Sequence, residues 1–532
     1  GFRNIVGNVG STSPIAESIG ALTVNATGLT SFSGTVDAVS LITDAGGSTQ
    51  IGSSRVSTSG NQTYLDNLLA INATVLSGSN VTFGGNVSAS SNLTINGNIA
   101  LNASNITSSG FQSYNGELLI GTNATLTAGG NMTLSGVDSA TNTAANSLSL
   151  VASNNMTLNG NIGTINRLST LTASANLTTM GVASDVVIDT VSNVIFTGNV
   201  ALNRSASIDS TQGNISLQGN VSSSSSKSLN LLTGSGNVSV SPSISGLLDF
   251  NVTGTNITLG NVQSSGNITL NLSNSGNVSG CISGAASLTK LGTGNLYLAG
   301  SSTYSGGTTV NAGILSLAGE SSLGTSLVQV NAGGALDLTG VSLASTDVTL
   351  NGGMLQVSGG NATVDSNVTI AANSAFKATG GNLNITSALN TGSFGLAFTG
   401  TNGTGSVALT HSANNISMVA SSTNTGSITI ADSVPLTVGN FSVNGVSFSG
   451  LNAAHDVTVV SSSTVTLDAN VTSASSAGNF NLVAAKFINN AGSSPFSVAA
   501  TKYWRLWSSN TDPFDISNGD QLGALNSKIG RA

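Results

Sequence analysis

SLTKLGTGNLYLAGSSTYSGGTTVNAGILSLAG, residues 287–319, is the stretch that decides the fold. Its apolar residues alternate in short runs at 296–298, 308–310 and 314–317, and Gly, Ser, Asn and Thr separate the runs. Each run is long enough for a strand and too short for a helix, so the stretch reads as strand, turn, strand, turn. The same texture recurs outward from it: Asn80-Val-Thr-Phe, Asn92-Leu-Thr-Ile, Asn131-Met-Thr-Leu, Asn155-Met-Thr-Leu, Asn214-Ile-Ser-Leu, Asn256-Ile-Thr-Leu and Asn267-Ile-Thr-Leu. One small unit, repeated, builds the chain.

Composition narrows the class. Only 6% of the 532 residues are charged, whereas a globular domain averages about 25%. Disorder is disfavoured because 39% of residues are hydrophobic and they alternate, which is the pattern of half-buried strands. The net charge of −8 is spread along the chain with no Lys/Arg cluster, so no field is available to steer nucleic acid or an anionic membrane. A single cysteine, Cys281, excludes an internal disulfide framework. No run reaches the 18 or so apolar residues of a membrane helix, so this segment is not expected to span a membrane with one.

Equivalent Asn-led strands between residues 80 and 279 lie about 19 to 24 residues apart, the length of one solenoid coil. The expected fold is therefore all-β: a right-handed parallel β-helix, a solenoid forming a single long rod. A β-sandwich or barrel is the competing class, but at this length it would split into several domains with visible linkers, and none appears. At about 22 residues per coil and ~4.8 Å per paired strand, roughly 24 coils would make a rod on the order of 115 Å long. Val, Ile, Leu and Phe would stack inside it, and Asn, Ser and Thr at the turns would hydrogen-bond from coil to coil. An internal repeat is also visible: Val56-Ser-Thr-Ser-Gly-Asn-Gln-Thr-Tyr64 returns in outline as Ile106-Thr-Ser-Ser-Gly-Phe-Gln-Ser-Tyr114. It implies a unit made of a pair of coils.

Leu288-Thr289-Lys290, then Gly292 and Gly294, then Tyr304-Ser305-Gly306-Gly307-Thr308-Thr309, then Asn311-Ala312-Gly313 before Leu315 resemble the autotransporter-associated β-strand repeat of secreted bacterial surface proteins. The flanking Asn/Gly/Thr-rich rungs resemble the filamentous-haemagglutinin-like exoproteins. The resemblance implies an extracellular or cell-surface chain, exported through an outer-membrane transporter by autotransport or two-partner secretion as part of a longer precursor. The chain then divides into Asn/Gly/Thr-rich coils at 1–283, repeat-like coils at 284–340, continuing coils at 341–485 and a Trp-rich segment at 486–532.

That last segment holds both tryptophans, in Tyr503-Trp504-Arg505-Leu506-Trp507. A cap over the final coil would hide unpaired strand edges. Clustered Trp, Tyr and Arg are equally the residues of interface anchors, which makes Tyr503, Trp504, Arg505 and Trp507 the candidates for docking another copy or a surface ligand.

Catalytic signals are sparse. Asp185 and Asp189 would face one side of a strand, but about 13 Å of strand separates them, beyond the ~5 to 9.5 Å of paired glycosidase carboxylates. His411 and His455 lack Cys or carboxylate neighbours at metal-ligand spacing and read as turn or surface residues. Cys281, without a nearby basic residue, reads as a buried inert thiol. No calcium nonapeptide and no phosphate loop is present. The expectation is a chain without catalytic, metal or cofactor sites.

Asn-X-Ser/Thr occurs about 28 times where composition alone would give roughly 18. A strand that opens on Asn and alternates polar with apolar writes this triplet automatically. Some adhesins of the resembled group carry glycans on such sequons, so Asn25, Asn72, Asn123 and Asn237 stand as examples of glycosylation candidates.

Two functions compete. An adhesin would present a binding surface to host or neighbouring-cell ligands and should show a distinct patch or an insertion interrupting the coils. A structural subunit of an extracellular fibre or sheath, assembled head to tail from copies of itself, should show uniform coils and two complementary ends.

Overall fold

The architecture is that of a computed structural model, which describes residues 3–10, 19–141, 145–401, 403–473, 478–499 and 502–509. It is 60% strand, arranged as about 24 parallel stacked coils. The expected β-solenoid is therefore the fold, and parallel pairing between coils rules out the sandwich. A single 3₁₀ turn, Glu320–Ser322, is the one helical element among the described residues. Two compact units divide at Gly1–Gly266 and Asn267–Ala532.

In the first unit each coil has three strands, and each strand pairs with its equivalent one coil on. Leu68 pairs with Val87, Val87 with Ile106, and Ile106 with Leu126. Strict alternation puts these residues inside, where all four are essentially unexposed. Each such side chain contributes about 1.5–3 kcal/mol by leaving water. The two ion pairs found among the described residues, Arg55–Asp37 and Arg167–Asp209, involve partly exposed groups. Pairs of that kind contribute about 0–1 kcal/mol each, so the stacked apolar ladders carry the stability.

The turns supply a second ladder. The N–H of Asn86 donates to Oδ1 of Asn67 at 2.9 Å, and the N–H of Asn105 to Oδ1 of Asn86 at 3.0 Å. Asn193, Asn214 and Asn237 repeat the arrangement at 2.8 Å per step. In the second unit Asn361, Asn382, Ser406 and Ser427 do so at 2.9 to 3.1 Å. Each Asn therefore caps the first N–H of the strand stacked on its own, at a corner where no neighbouring strand supplies a carbonyl. This is why so many strands open on Asn.

The 56–64 and 106–114 repeat is a different object from the coil pair expected for it. Val56 pairs with Leu76, Leu76 with Ile95 and Ile95 with Tyr114, whereas Ile106 belongs to the Leu68–Val87 ladder. The two copies thus occupy different corners of the coil. Both solve one local problem: Gln62 Nε2 bonds to the carbonyls of Val56 and Ser77, and Gln112 Nε2 to those of Ile106 and Thr127. The repeated unit is a strand–corner–strand device.

Candidate functional site

One rung of the second unit is broken. Val438 pairs with Val419 of the preceding coil, yet the next bond along that coil, from the N–H of Ser421, goes to the carbonyl of Gly450 at 2.8 Å. The intervening residues leave and return through a neck closed by the N–H of Gly450 on the carbonyl of Gly439, at 2.9 Å. Gly450 has φ +68°, and a Cβ there would lie 2.0 Å from the carbonyl oxygen of Asn470, so the neck requires glycine. Between the two glycines, Asn440–Val443 and Val446–Ser449 form the one antiparallel pair of strands among the described residues. Asn444 and Gly445 turn it with φ +51° and +80°, the type I′ geometry that suits hairpin twist.

The hairpin lies on the outside of the coils. Val443 and Phe448 pack on Ala375, Ala397 and Ala420, with Met354 and Phe441 at the margin. Those alanines stand one above another in register and leave a shallow apolar bed. The ring of Phe441 fills the place a Cβ would take on Gly395, 2.7 Å away, and its centroid is 6.4 Å from that of Phe448. Val446 near the tip is 58% exposed. At the root opens a polar cleft of about 490 Å³, lined by Asn440, Ser449, Asn452, Asp468, Asn470 and Thr472, with Ala469 and Ala491 as its apolar part.

The aromatic candidates occupy the strand Trp504–Ser508, which pairs in register with Phe480–Ala484. Trp504 stands over buried Phe480 and stacks on Phe496 at 5.2 Å. Arg505 sits 4.0 Å above the ring of Tyr503, and Tyr503 and Trp507 are exposed. The four residues are thus divided: Trp504 continues the inner stack, and the other three alternate with it toward the outer face. Residues 500, 501 and 510–532 of the Trp-rich segment lie outside the described residues.

Asn25, Asn72, Asn123 and Asn237 are all exposed at turns. Asn72 is committed, its Nδ2 donating to the carbonyl of Gly52 at 2.6 Å. Asn123 Oδ1 receives the N–H of Ser147 and Asn237 Oδ1 receives Nδ2 of Asn256, so each of these two is held through its oxygen.

Stacking also brings carboxyls together that are far apart in the chain. Glu117 hydrogen-bonds Asp138, and that bond, with burial and the like charge behind it, holds the Glu117 carboxyl above its ordinary range. Asp189 pairs in register with Asp209, and Arg167 donates to Asp209 at 3.0 Å and to the carbonyl of Thr190 at 3.3 Å. Burial first, and then the neighbouring Asp209 and Asp138 charges against that of Arg167, leave Asp189 raised. The partners come from different coils, which spacing along a single strand does not reveal. Asp185 is not among them: its Oδ1 caps the N–H of Ser205 at 3.1 Å, in the role Asn fills elsewhere. Cys281, expected to be buried, is half-buried. His411 and His455 lie in turns.

Within the opening stretch, Lys290 pairs with Leu270 on one side and Val310 on the other, an inward position in an aliphatic ladder, and is fully buried. Its Nζ donates to the carbonyls of Leu291, Gly292 and Ala312 at 2.9, 2.7 and 2.9 Å. Burial lowers its pKa to about 8. Tyr304, also buried, shares a 2.5 Å hydroxyl bond with Thr308. These are the residues of the resembled motif, held inside the coil.

Residues 288–317 match the passenger-associated-transport-repeat family. No curated protein and no solved structure matches the chain. The repeat and the β-solenoid together fit an autotransporter passenger, exported to the cell surface or the extracellular space. No helix among the described residues is long and apolar enough to cross a membrane. Within the repeat, Leu288, Leu296, Leu298, Val310, Leu315 and Leu317 are buried rungs, and Lys290 is the one charged residue among them.

Proposed function

We propose that this chain is the passenger of an autotransporter and acts at the cell surface as an adhesin without catalytic activity. The solenoid is the scaffold, and the hairpin at 440–449 is the binding element. The observation that carries this reading is the interruption of a regular rung by an antiparallel insertion whose tip projects Val446 into solvent. A structural subunit needs uniform coils, and a hairpin inserted through a glycine-closed neck breaks that uniformity. The repeat at 288–317 favours autotransport through an outer-membrane transporter over the two-partner route. Asn25, Asn123 and Asn237 are the proposed carriers of any N-linked glycan, and Asn72, whose nitrogen is already bonded, is not.

The test joins Gly439 to Gly450 directly, deleting residues 440–449. Cells displaying the shortened passenger at wild-type levels should lose adherence to host or neighbouring cells while the passenger keeps its β circular-dichroism spectrum. Full adherence, or continuous filaments of the chain on electron micrographs of its native source, would overturn the reading.

A further inference from the structure

We propose that the cleft at the root of the hairpin binds a short, neutral saccharide; this rests on the adhesin reading and names the ligand class for it. Three parts of the fold converge there. The hairpin contributes Asn440 and Ser449, which face each other in register at its base. The strand Leu451–Ala453 contributes Asn452, and the turn and strand of the following coil contribute Asp468, Asn470 and Thr472. The volume, about 490 Å³, lies within the ~300–1,000 Å³ of small-molecule sites.

Some of these side chains are held and others are open. Asn452 Nδ2 donates to the carbonyls of Ser449 at 2.6 Å and Ser421 at 3.3 Å, while its Oδ1 accepts from the Thr472 hydroxyl. Asn452 is therefore a fixed wall. Asp468, which lines the cleft, uses Oδ1 to accept from Nδ2 of Asn490 at 2.7 Å, a bond that orients the carboxylate. The carboxamides of Asn440 and Asn470 bond to no other side chain or backbone group among the described residues, although the Asn470 carbonyl is anchored by the N–H of Leu451 at 3.1 Å. A carboxamide offers two donors and an acceptor, so two open carboxamides, a hydroxyl and a carboxylate oxygen make a surface that both gives and takes hydrogen bonds.

That combination matches vicinal hydroxyls, each of which donates and accepts. A peptide is a poorer fit, because the apolar part of the lining is little more than the methyls of Ala469 and Ala491. An anionic sugar is disfavoured, since Asp468 is the one charged residue in the lining and no Lys or Arg joins it. The hairpin thereby acquires a second purpose. It walls one side of the cleft.

The purified full chain would be applied to an array of immobilised neutral and acidic mono- to tetrasaccharides, with each hit confirmed by saturation-transfer NMR on the free sugar. Retention of a neutral saccharide is expected, with weakening of about tenfold or more in the N440A/N470A double variant at unchanged thermal unfolding. D468N should extend binding to acidic sugars. Retention of no saccharide by the folded chain, or unchanged binding by the double variant, would overturn the inference. Adherence separates it from the wider reading. If deleting 440–449 abolishes adherence and N440A/N470A leaves it intact, the saccharide site falls and the adhesin stands. If adherence survives the deletion, the adhesin role of the hairpin falls, and array binding alone decides the cleft.

Discussion

The hydroxyl of Tyr114 donates to Oε1 of Gln112 at 2.7 Å, both groups fully inside the coil. Tyr64 and Gln62 make the same bond at 3.0 Å at another corner. Burial holds the Tyr114 hydroxyl well above its ordinary pKa, so it stays a neutral donor. The bond it makes keeps the glutamine amide turned toward the two corner carbonyls. Tyr114→Phe should cost about 1–2 kcal/mol by orphaning Oε1, and Gln112→Ala more, about 2–4 kcal/mol, because it orphans the hydroxyl and two carbonyls together. Denaturant midpoints of the two variants would check the order; equal midpoints would show that water replaces the glutamine.

The Asn ladder makes a prediction that separates structure from sequon. Asn214 accepts the N–H of Asn237 and donates its own N–H to Asn193. Asn214→Ala should cost about 1 kcal/mol, whereas Asn214→Asp, which keeps the accepting oxygen, should cost little. Asp185, Asp347 and Asp456 already fill such places. Ser216→Ala removes the same sequon without touching the ladder. Glycosylation at Asn214 would appear as a mass loss in both Asn214→Asp and Ser216→Ala; a purely structural Asn would show stability loss in Asn214→Ala alone.

These two ladders mark how far the sequence could be read. Strand existence, coil stacking and the cause of the Asn-led strands follow from local alternation and so were legible at Asn80, Asn92 or Asn214. The corner role of Gln62 and Gln112 was visible only as a repeat, since its geometry depends on which of three corners a strand reaches. The pairing of Glu117 with Asp138 and of Asp189 with Asp209 depends on uneven coil lengths, which no local pattern prints. The hairpin did leave a signal: Phe441-Ser-Val-Asn-Gly-Val-Ser-Phe448 is symmetric about Asn444-Gly445, the type I′ signature. Short strands on either side hide it, because the whole chain has the same texture.

Lys290 should make the second unit respond to alkaline pH. Its pKa is about 8 when folded, against 10.5 for a lysine in water, so the unfolded chain holds more protons between those values. Stability therefore rises as pH climbs from about 8 to 10.5 and is flat below, with respect to this group. At neutral pH the ammonium is charged and serves three carbonyls, so Lys290→Met should still destabilise, by about 1–3 kcal/mol, through the oxygens it leaves bare. Thermal melts of both proteins across that range would check it. A Met variant that keeps the alkaline rise would assign the rise elsewhere.

The carboxyls predict the opposite slope in acid. Glu117, Asp66, Asp189 and Asp432 all have raised folded pKa values. For each, stabilisation is fully present below the ordinary carboxyl range and is lost as pH rises through the raised folded value. Melting temperature should thus increase on acidification from neutral toward pH about 4 to 5. Glu117→Gln, which relieves its repulsion with Asp138, should flatten part of that rise and raise stability at pH 7. An unchanged profile would mean the pair is separated in solution.

Gly395 offers a way to unseat the hairpin without cutting it. The Phe441 ring lies 2.7 Å from where a Cβ would be, closer than any side chain tolerates, and the ring cannot retreat inward because Ala375, Ala397 and Ala420 form the bed beneath. Gly395→Ala should therefore push the hairpin outward, open the cleft between Asn440 and Asn470 and reduce adherence, while the coils below keep their pairing. Hydrogen exchange would locate the change: faster exchange confined to 440–450 is expected, with 374–378 and 395–400 protected as before. Loss of protection in those strands would mean that the hairpin holds the coils together, and that its primary role is structural.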